Sequence, residues 1–312
     1  MSSDRYRRNR REFLKMLAAA GAGVTLPGLG RAEAAGSEQI LKAIPATGEK
    51  LPVIGLGTSR VFEVGPGDFE REGPMRVLEA LARVPDSMMD TSPMYGSAET
   101  VVGDLAARLG VRDRLFFATK VWIEGRERGI AQMQQSMQRL RTDRLDLIQV
   151  HNLVDTRTHL QTLRQWKQEG RVRYLGITHY HAGAHGSLMR VMQREPLDFV
   201  QVNYSLLEPE AQQRLLPLAR EKGIAIIANR PFARGELFRV TRGKPLPPWA
   251  QELGIASWAQ YFLKFVVSHP AVTVARPGTS KVKHMLDNQQ AGRGVLPDAA
   301  MRERMLRYLQ NI

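Results

Sequence analysis

The sequence predicts an α/β fold, a single-domain (β/α)8 (TIM) barrel with an N-terminal hairpin and an extra C-terminal helix. Short apolar runs recur along the chain, and amphipathic helical stretches separate them. Most runs are four to seven residues long and rich in β-branched or aromatic residues, as buried parallel strands are. Eight strands that alternate with helices indicate a closed parallel barrel. The runs begin near Val53, Met88, Leu115, Leu145, Val172, Phe199, Ile224 and Val272.

The elements follow one another in a regular order. A hairpin is expected first, with strands near residues 41–43 and 51 and a turn at Thr47-Gly48. An open doubly wound sheet is the alternative fold, but no G-x-G-x-x-G segment follows the first strand. The spacing predicts helices over residues 75–83, 98–109, 130–140, 158–169, 182–194, 211–222, 255–267, 282–289 and 298–310.

The segment between the seventh and eighth strands, residues 230–253, is too long for a simple connection. It contains Gly235, Gly243 and four prolines, a composition that favours turns over a regular helix. A loop this long on a compact barrel is usually functional. We therefore expect it to act as a lid or clamp over a site.

The first 34 residues differ from the rest of the chain. Six basic residues within residues 5–15 precede a small-residue apolar run at 16–29 and an Ala32-Glu33-Ala34 site, which is the order found in cleaved signal peptides. The run is too short and too rich in Gly and Pro to span a bilayer stably. The alternative is a basic amphipathic helix on the domain surface.

Residues 10–15, with the sequence RREFLK, look like the twin-arginine export motif RRxFLK. We therefore expect residues 1–34 to be a signal peptide that engages the twin-arginine translocase and is cleaved after Ala34. The mature domain, residues 35–312, is then exported, with the bacterial periplasm as its expected location. Twin-arginine export carries folded proteins, so the mature protein is expected to acquire any ligand before it leaves the cytoplasm.

The composition excludes several classes of function. The 312 residues include no cysteine, which excludes disulfides, iron–sulfur clusters, thiolate zinc sites and a cysteine nucleophile. The formal charge of +14 is compatible with a nucleic acid, an anionic membrane or a phosphate-rich cofactor. The basic residues are dispersed without a recognised nucleic-acid module, and the histidines lack an HExxH-like arrangement. Neither a nucleic-acid partner nor a metal is expected.

Polar residues at consecutive strand ends form a candidate catalytic site. Asp90, Lys120 and His151 end the second, third and fourth strands, and Tyr95 lies in the loop after Asp90. In a barrel, catalytic groups gather at the C-terminal ends of strands. Each residue alone also has a structural interpretation, such as a helix cap for the Asp or a core position for the His. Four together at neighbouring strand ends favour a functional site.

These four residue types suit the reduction of a carbonyl group. A tyrosine has an ordinary pKa of about 10 and is a poor proton donor near neutrality, but a neighbouring ammonium favours the phenolate. Lys120 could act on Tyr95 in this way while Asp90 holds the Lys charged, and His151 could orient the carbonyl oxygen. Protein side chains cannot supply a hydride, so a nicotinamide or similar cofactor is required.

The chain resembles the aldo-keto reductase family over residues 41–288. That resemblance implies a (β/α)8 barrel that uses NADPH, or less often NADH, to reduce aldehydes and ketones. The family's Asp, Tyr, Lys and His tetrad falls on Asp90, Tyr95, Lys120 and His151, with Tyr95 as the general acid. The motifs that carry the resemblance are LPVIGLGTS (51–59), DTSPMYGSAE (90–99), ATKVW (118–122), LDLIQVHN (145–152), GRVRYLGIT (170–178), FVQVNYS (199–205) and RPGTSKVKHMLDN (276–288).

The resemblance also implies a set of cofactor-binding residues. Gln201 stands where the family binds the nicotinamide carboxamide, and Thr178-His179 replaces the usual Ser-Asn pair. Asn229 replaces the aromatic residue that normally stacks under the nicotinamide, which makes Phe232 a candidate for that task. Phe232 and Gly235 belong to the loop that wraps the pyrophosphate. The adenosine-phosphate segment falls on Pro277, Gly278, Thr279, Ser280, Lys281, His284 and Asn288.

Within that segment, His284 stands where the family often has an Arg for the 2′-phosphate. Lys281 and Lys283 keep the region basic, so NADP(H) is the expected cofactor and NAD(H) the alternative.

The substrate is expected to be a small-molecule carbonyl compound. Val61, Phe62, Met94 and Trp122 are the residues expected around an apolar mouth. The intact tetrad favours an NADPH-dependent reductase. The alternative is a nicotinamide-nucleotide-binding or redox-sensing protein on the same barrel with little turnover, which the altered stacking position and the export signal favour. Fold alone does not decide between these two functions.

Overall fold

The computed structural model describes residues 38–312, so the predicted signal peptide at residues 1–34 lies outside the described residues. Within residues 38–312, none of the helices combines the length and the apolar character needed to cross a bilayer. The strands are β1 Leu41–Ala43, β2 Lys50–Pro52, β3 Leu56–Gly57, β4 Ser87–Asp90, β5 Leu115–Val121, β6 Leu145–His151, β7 Val172–Thr178, β8 Phe199–Asn203, β9 Ala225–Asn229 and β10 Val272–Ala275.

The strands β3 to β10 form a barrel, as the sequence predicted. They make one parallel sheet in the order β10-β9-β8-β7-β6-β5-β4-β3. Parallel bridges from Ile54 to Ala275 and from Gly57 to Gly278 join its two edges. The hairpin β1–β2 is antiparallel, also as predicted. The carboxyl ends of all eight parallel strands therefore meet at one end of the barrel, where sites on this fold are built.

The helices surround the sheet, and their apolar faces pack on its outer side in one continuous core. They are α1 Asp68–Ala82, α2 Ala98–Leu109, α3 Arg126–Arg139, α4 Thr156–Gln168, α5 His185–Arg194, α6 Leu215–Glu221, α7 Glu236–Val240, α8 Trp258–Ser268, α9 Val282–Gln290 and α10 Ala299–Gln310.

Several helix boundaries differ from the prediction, and two of these differences have a clear local reason. The helix expected over residues 75–83 begins at Asp68 and runs through Pro74, because the Glu70 carboxylate accepts a hydrogen bond from the Gly67 amide and caps the first turn. The helix expected over 211–222 is divided into a 3-10 turn and α6. Arg214, with φ −137°, lies between them outside the helical region.

The inward-facing side chains of the strands change from apolar to polar along the barrel axis. A separate apolar cluster at the amino-terminal end includes Phe116, Leu147, Phe199 and Val274, and Ile44 and Leu51 of the hairpin region join it. Because side chains on one face of a strand recur every second residue, the same faces continue into polar residues at the carboxyl ends. The inward series that end in this way include Met88–Asp90, Ala118–Lys120, Leu147–Gln149–His151, Phe199–Gln201–Asn203, Ile227–Asn229 and Val274–Arg276.

The long segment at residues 230–253 folds into helical turns rather than one open loop. It contains α7 and 3-10 turns at Ala233–Gly235 and Pro248–Leu253. At its start, Arg230, Ala233 and Arg234 adopt positive φ values of 52°, 47° and 59°. Such conformations are costly for residues other than Gly and cluster at functional sites.

Candidate active site

A buried ion pair between Asp90 and Lys120 lies at the centre of the site. The Lys120 ammonium is 2.9 and 2.8 Å from the two Asp90 oxygens and donates a third hydrogen bond to the Thr91 carbonyl at 2.6 Å. Both side chains are 0% exposed. The Gln149 amide donates to Asp90 Oδ1 at 3.3 Å. A buried charge must be paired in this way to remain charged.

Tyr95 is held beside this pair by the turn that follows β4. Its amide donates to the Ser92 carbonyl, and its own carbonyl accepts from the Ala98 amide at the start of α2. Gly96, with φ 49°, occupies the left-handed region inside this turn. The Lys120 ammonium lies 5.4 Å from the centre of the Tyr95 ring. A cation at this distance favours a developing negative charge on the phenol.

His151 faces Tyr95 from the end of β6. The two ring centres are 6.4 Å apart and their planes nearly perpendicular. Burial lowers the pKa of His151 to about 3, and the positive charge of Lys120 contributes further. The imidazole is therefore neutral near neutral pH, so it carries one N–H donor and one acceptor nitrogen. Its Nδ1 is buried and has no hydrogen-bond partner among the described residues.

Arg276 adds a second cation that the sequence analysis did not identify. Its Nε is 3.0 Å from Asp90 Oδ2, and its side chain is 11% exposed. Burial raises the pKa of Asp90, but the charges of Arg276 and Lys120 outweigh burial and hold that pKa below its usual range. The available signal was the two-residue period Val274–Arg276, which directs Arg276 into the barrel.

A cavity of about 840 Å³ opens above these residues. Tyr95 and His151 lie on its wall, together with nine of the other predicted site residues. Its size matches that of a typical small-molecule site. The predicted residues on the wall are Met94, Trp122, Thr178, Gln201, Asn229, Phe232, Gly235, Pro277 and Gly278 in addition to Tyr95 and His151.

The strand ends on one side of the cavity present polar groups. Thr178 Oγ1 donates to Gln201 Oε1 at 2.9 Å, which fixes the Gln201 amide. Asn229 Nδ2 donates to the His179 carbonyl at 3.2 Å, whereas its buried Oδ1 has no partner among the described residues. An unpartnered buried oxygen on a cavity wall fits a ligand with N–H donors, such as the carboxamide of nicotinamide. His179, predicted to bind the cofactor, is not among the residues that line the cavity, and its ring packs against Tyr180 and His181.

The start of the long segment brings two further arginines to the cavity. Arg230 and Arg234 line it beside Phe232 and Gly235. The Arg230 guanidinium lies 4.5 Å from the centre of the Tyr180 ring, a stacking contact that fixes its orientation. Phe232 packs on Phe238 at 4.8 Å between ring centres. Planar arginine groups suit a diphosphate, so this wall fits the phosphates of a dinucleotide.

The other residues predicted to bind the adenosine phosphate follow Pro277 and Gly278 along the chain. They form a tight turn outside the main cavity. Thr279 Oγ1 accepts from the Lys281 amide at 3.1 Å and lies 3.5 Å from His284 Nδ1. Ser280 lies between them. Asn288 is buried in α9, and its Nδ2 has no partner among the described residues. This unpartnered amide fits an acceptor such as an adenine nitrogen.

Of the residues expected around the substrate, Met94 and Trp122 lie at the mouth, each 39% exposed, and Val61 also lines the cavity. Phe62 lies elsewhere: it is 0% exposed and belongs to the core. Its neighbours Val61 and Glu63 line the cavity, whereas the Phe62 ring packs into the core behind this turn. Within residues 38–312, no three His, Asp or Glu side chains converge to hold a metal.

A closed parallel barrel with a buried Asp–Lys pair, a Tyr and a His at its carboxyl end defines a class of reductase fold. Residues 53–304 match the model of the aldo/keto reductase family. The chain belongs to this family.

Relatives and solved structures agree with this assignment. The chain is 27% identical to the aldo-keto reductase YhdN of Bacillus subtilis over 62% of each chain, and 31% identical to the aldo-keto reductase str7 of Strobilurus tenacellus over 59% of each. The matched stretches thus span less than two thirds of these two relatives. The methylglyoxal reductase YeaE of Escherichia coli is 27% identical over 79% of this chain and 88% of its own length.

An aldo/keto reductase from Klebsiella pneumoniae, crystallised with NADP and acetate, superposes with a TM-score of 0.70 at 25% identity. The match covers 84% of this chain and 93% of that one. A second structure of an aldo-keto reductase from the same organism, with NADPH, superposes with a TM-score of 0.71 at 25% identity, covering 84% and 92%.

Proposed function

We propose that this protein is an NADPH-dependent oxidoreductase that reduces aldehydes or ketones to alcohols, with NADH as the alternative cofactor. One observation carries the proposal: Asp90, Lys120, Tyr95 and His151 meet at one end of the barrel, and the last two line the same cavity. The four come from three different strand ends of the barrel, and proton transfer to a carbonyl oxygen is the chemistry that uses all of them together.

The residues present fit a nicotinamide dinucleotide. Gln201, Thr178 and the free Oδ1 of Asn229 would hold the nicotinamide end, Arg230 and Arg234 the diphosphate, and the turn at 279–284 the adenosine phosphate. When bound, this cofactor supplies the hydride that side chains cannot.

The chain's own residues handle the proton. Tyr95 donates the proton of its hydroxyl to the carbonyl oxygen, and the Lys120 ammonium stabilises the negative charge left on the phenol. Asp90 keeps that ammonium in place. The neutral His151 donates a hydrogen bond that orients the carbonyl oxygen. The apolar side chains of Met94, Trp122 and Val61 at the mouth limit access of water.

The nucleotide-binding or sensing alternative is not favoured. A protein that only holds nucleotide has no use for a fully buried Asp–Lys pair beside a tyrosine, since burying two charges is expensive. Substitution of the stacking aromatic by Asn229 does not remove the ligand site, because Asn229 still offers a free acceptor to the cavity.

The direct test is nucleotide binding followed by turnover. NADPH is titrated by its fluorescence, and its oxidation is then followed with a panel of aldehydes that includes methylglyoxal. The wild type should bind NADPH and oxidise it only when an aldehyde is present. Tyr95→Phe should bind NADPH normally and oxidise it at a rate lower by several orders of magnitude, whereas Tyr308→Phe, far from the site, should behave as the wild type. Binding without oxidation by any aldehyde in the wild type would overturn the proposal.

We also propose that residues 1–34 are a twin-arginine signal, with the translocase as a transient partner and the bacterial periplasm as the destination. The paired Arg10-Arg11, the apolar run and the Ala32-Glu33-Ala34 site support this. A fusion of residues 1–40 to a reporter that must fold before export tests it. Export should stop when both arginines are changed to Lys, and export that persists would contradict the proposal.

A further inference from the structure

Arg276 occupies a position that structural packing alone does not require. It follows β10 on the inward face of the barrel, two residues after Val274 of the apolar cluster. Its side chain is 11% exposed and lines the cavity. Burying a guanidinium in a barrel is costly unless it is paired, and the apolar residues on the same face show that a neutral side chain would fit this series.

Asp90 is shared by two cations. Lys120 contacts both of its oxygens at 2.8 and 2.9 Å, and Arg276 Nε lies 3.0 Å from Oδ2. One carboxylate cannot neutralise two full charges, so one positive charge remains in excess in this buried cluster. The excess charge also acts on His151. Burial is the main cause that lowers the pKa of His151, and the positive charges of Lys120 and Arg276 lower it further.

The excess charge is adjacent to Tyr95. Burial lowers the pKa of Arg276, but the attraction of Asp90 and of the Tyr95 hydroxyl outweighs burial and raises it. The other titratable groups near Tyr95 are Lys120 from β5, His151 from β6 and Glu63 on the same cavity wall.

Gly57 makes room for the guanidinium. A Cβ atom at this position of β3 would lie 2.4 Å from Arg276 Nη1, much closer than atoms approach in proteins. Gly57 is also bridged to Gly278 and paired with Asp90. The absence of a side chain at Gly57 on β3 therefore leaves the space that the Arg276 guanidinium occupies after β10.

We propose that Arg276 is a fifth catalytic residue, which contacts the Tyr95 hydroxyl and stabilises the phenolate formed when Tyr95 gives its proton to the carbonyl oxygen. The inference rests on the proposed reduction. In that step the O–H bond of Tyr95 breaks and one forms on the product alcohol, while a hydride from reduced nicotinamide adds to the carbonyl carbon. The phenolate then regains a proton from solvent. Arg276 and Lys120 share the stabilisation of this transient charge.

The experiment compares Arg276→Met and Arg276→Lys with the wild type in two ways. The first measurement needs no turnover and follows tyrosinate absorbance against pH. For each protein, the contribution of Tyr95 is obtained by subtracting the curve of the same protein with Tyr95→Phe added. Tyr204 and Tyr261 interfere little, because burial raises their pKa. The Tyr95 transition should move to higher pH by about one unit or more in Arg276→Met, as expected when a close opposite charge is lost, and by less in Arg276→Lys.

The second measurement is the pH profile of kcat with NADPH and an aldehyde. Arg276→Met should lower kcat by roughly 10²-fold near neutrality, as the loss of one oxyanion donor does, and Gly57→Ala should reproduce part of this loss. Arg112→Met is the matched control, because Arg112 pairs with Asp146 at the opposite end of the barrel. It should lower stability without moving either curve.

Two outcomes decide the matter. An unshifted Tyr95 transition in folded Arg276→Met, with only a lower unfolding temperature, would show that Arg276 is purely structural. A shifted transition in a protein whose wild type reduces no aldehyde would support the contact with Tyr95 and overturn the proposed function instead.

Discussion

The Lys120 ammonium lies within 2.9 Å of both oxygens of Asp90, in a pair that is wholly enclosed by protein. Asp90 cannot be removed without leaving both Lys120 and Arg276 as unpaired charges in the barrel. Asp90→Asn should therefore lower the free energy of unfolding by about 3–5 kcal/mol and abolish turnover. Urea unfolding measures the first effect.

The exposed pair Arg108–Asp68 provides the control for this loss. Its side chains are 58% and 88% exposed, and exposed pairs contribute at most about 1 kcal/mol. Arg108→Met should thus leave unfolding and turnover nearly unchanged. Equal losses in the two variants would contradict a special role for the buried pair.

His151 should make stability depend on pH below neutrality. Its pKa is lowered to about 3 by burial and by Lys120, whereas an unfolded His titrates near 6.5. Between these values the unfolded chain binds the extra proton, so the free energy of unfolding falls as the pH drops from about 6.5 towards 3. His151→Gln should make this fall shallower, as measured by urea unfolding at a series of pH values.

His269 is the matched control for His151. Burial, and then Arg302, lower its pKa to about 4, and it lies just before β10 at the end of the barrel away from the site. His269→Gln should also reduce the pH dependence of unfolding but leave carbonyl reduction unchanged. An unaltered pH dependence in His151→Gln would show that His151 is not held neutral by the fold.

The choice between NADPH and NADH should depend on Lys281. Burial, and then Lys283 and Lys281, lower the pKa of His284, so His284 is a weak partner for a phosphate near neutrality. Lys281→Met should weaken NADPH binding by roughly ten- to a hundredfold, since a hydrogen bond to a charged group contributes about 1.5–3 kcal/mol. NADH binding should not change.

Fluorescence titration with both nucleotides checks this prediction, and Lys222→Met, on the exposed surface, serves as the control. An equal effect of Lys281→Met on NADPH and NADH would place Lys281 away from the 2′-phosphate.

Lys42 should stabilise the barrel through its hairpin. Its ammonium donates to the carbonyls of Val267, His269 and Val272 at 2.6 to 2.9 Å. Lys42→Met leaves these carbonyls without that donor, at an expected cost of about 1–3 kcal/mol in unfolding free energy. Lys50→Met, on the exposed side of the same hairpin, should change it by less than about 0.5 kcal/mol. No difference between the two would mean that the hairpin is not anchored by Lys42.

The catalytic residues were predictable from the sequence because each one ends a strand or closely follows one. The two-residue period of an inward face carries Asp90, Lys120 and His151 to one end of any parallel barrel, whatever the details of packing. The same period also directs Arg276 inward. Arg276 was not predicted as a site residue, because it begins the segment 276–288 whose resemblance to the family implies binding of the adenosine phosphate by Pro277 and the residues after it.

Other features depend on local backbone geometry, which the hydrophobic periodicity of the sequence does not specify. Phe62 was expected at the substrate mouth beside Val61, but the turn after β3 directs it into the core. The spacing predicted a helix beginning at residue 75, whereas the Glu70 cap begins α1 at Asp68. The strained conformations of Arg230 and Arg234, which bring both to the cavity, have no signal in their residue types.

The most direct test of the central claim is a single turnover with enzyme, saturating NADPH and a reducible aldehyde mixed in a stopped-flow instrument. The wild type should oxidise the bound NADPH in one fast phase. Tyr95→Phe should bind the nucleotide equally well but oxidise it more slowly by several orders of magnitude, because the variant lacks the hydroxyl that gives its proton to the carbonyl oxygen. A Tyr95→Phe variant that oxidises bound NADPH at the wild-type rate would contradict the account.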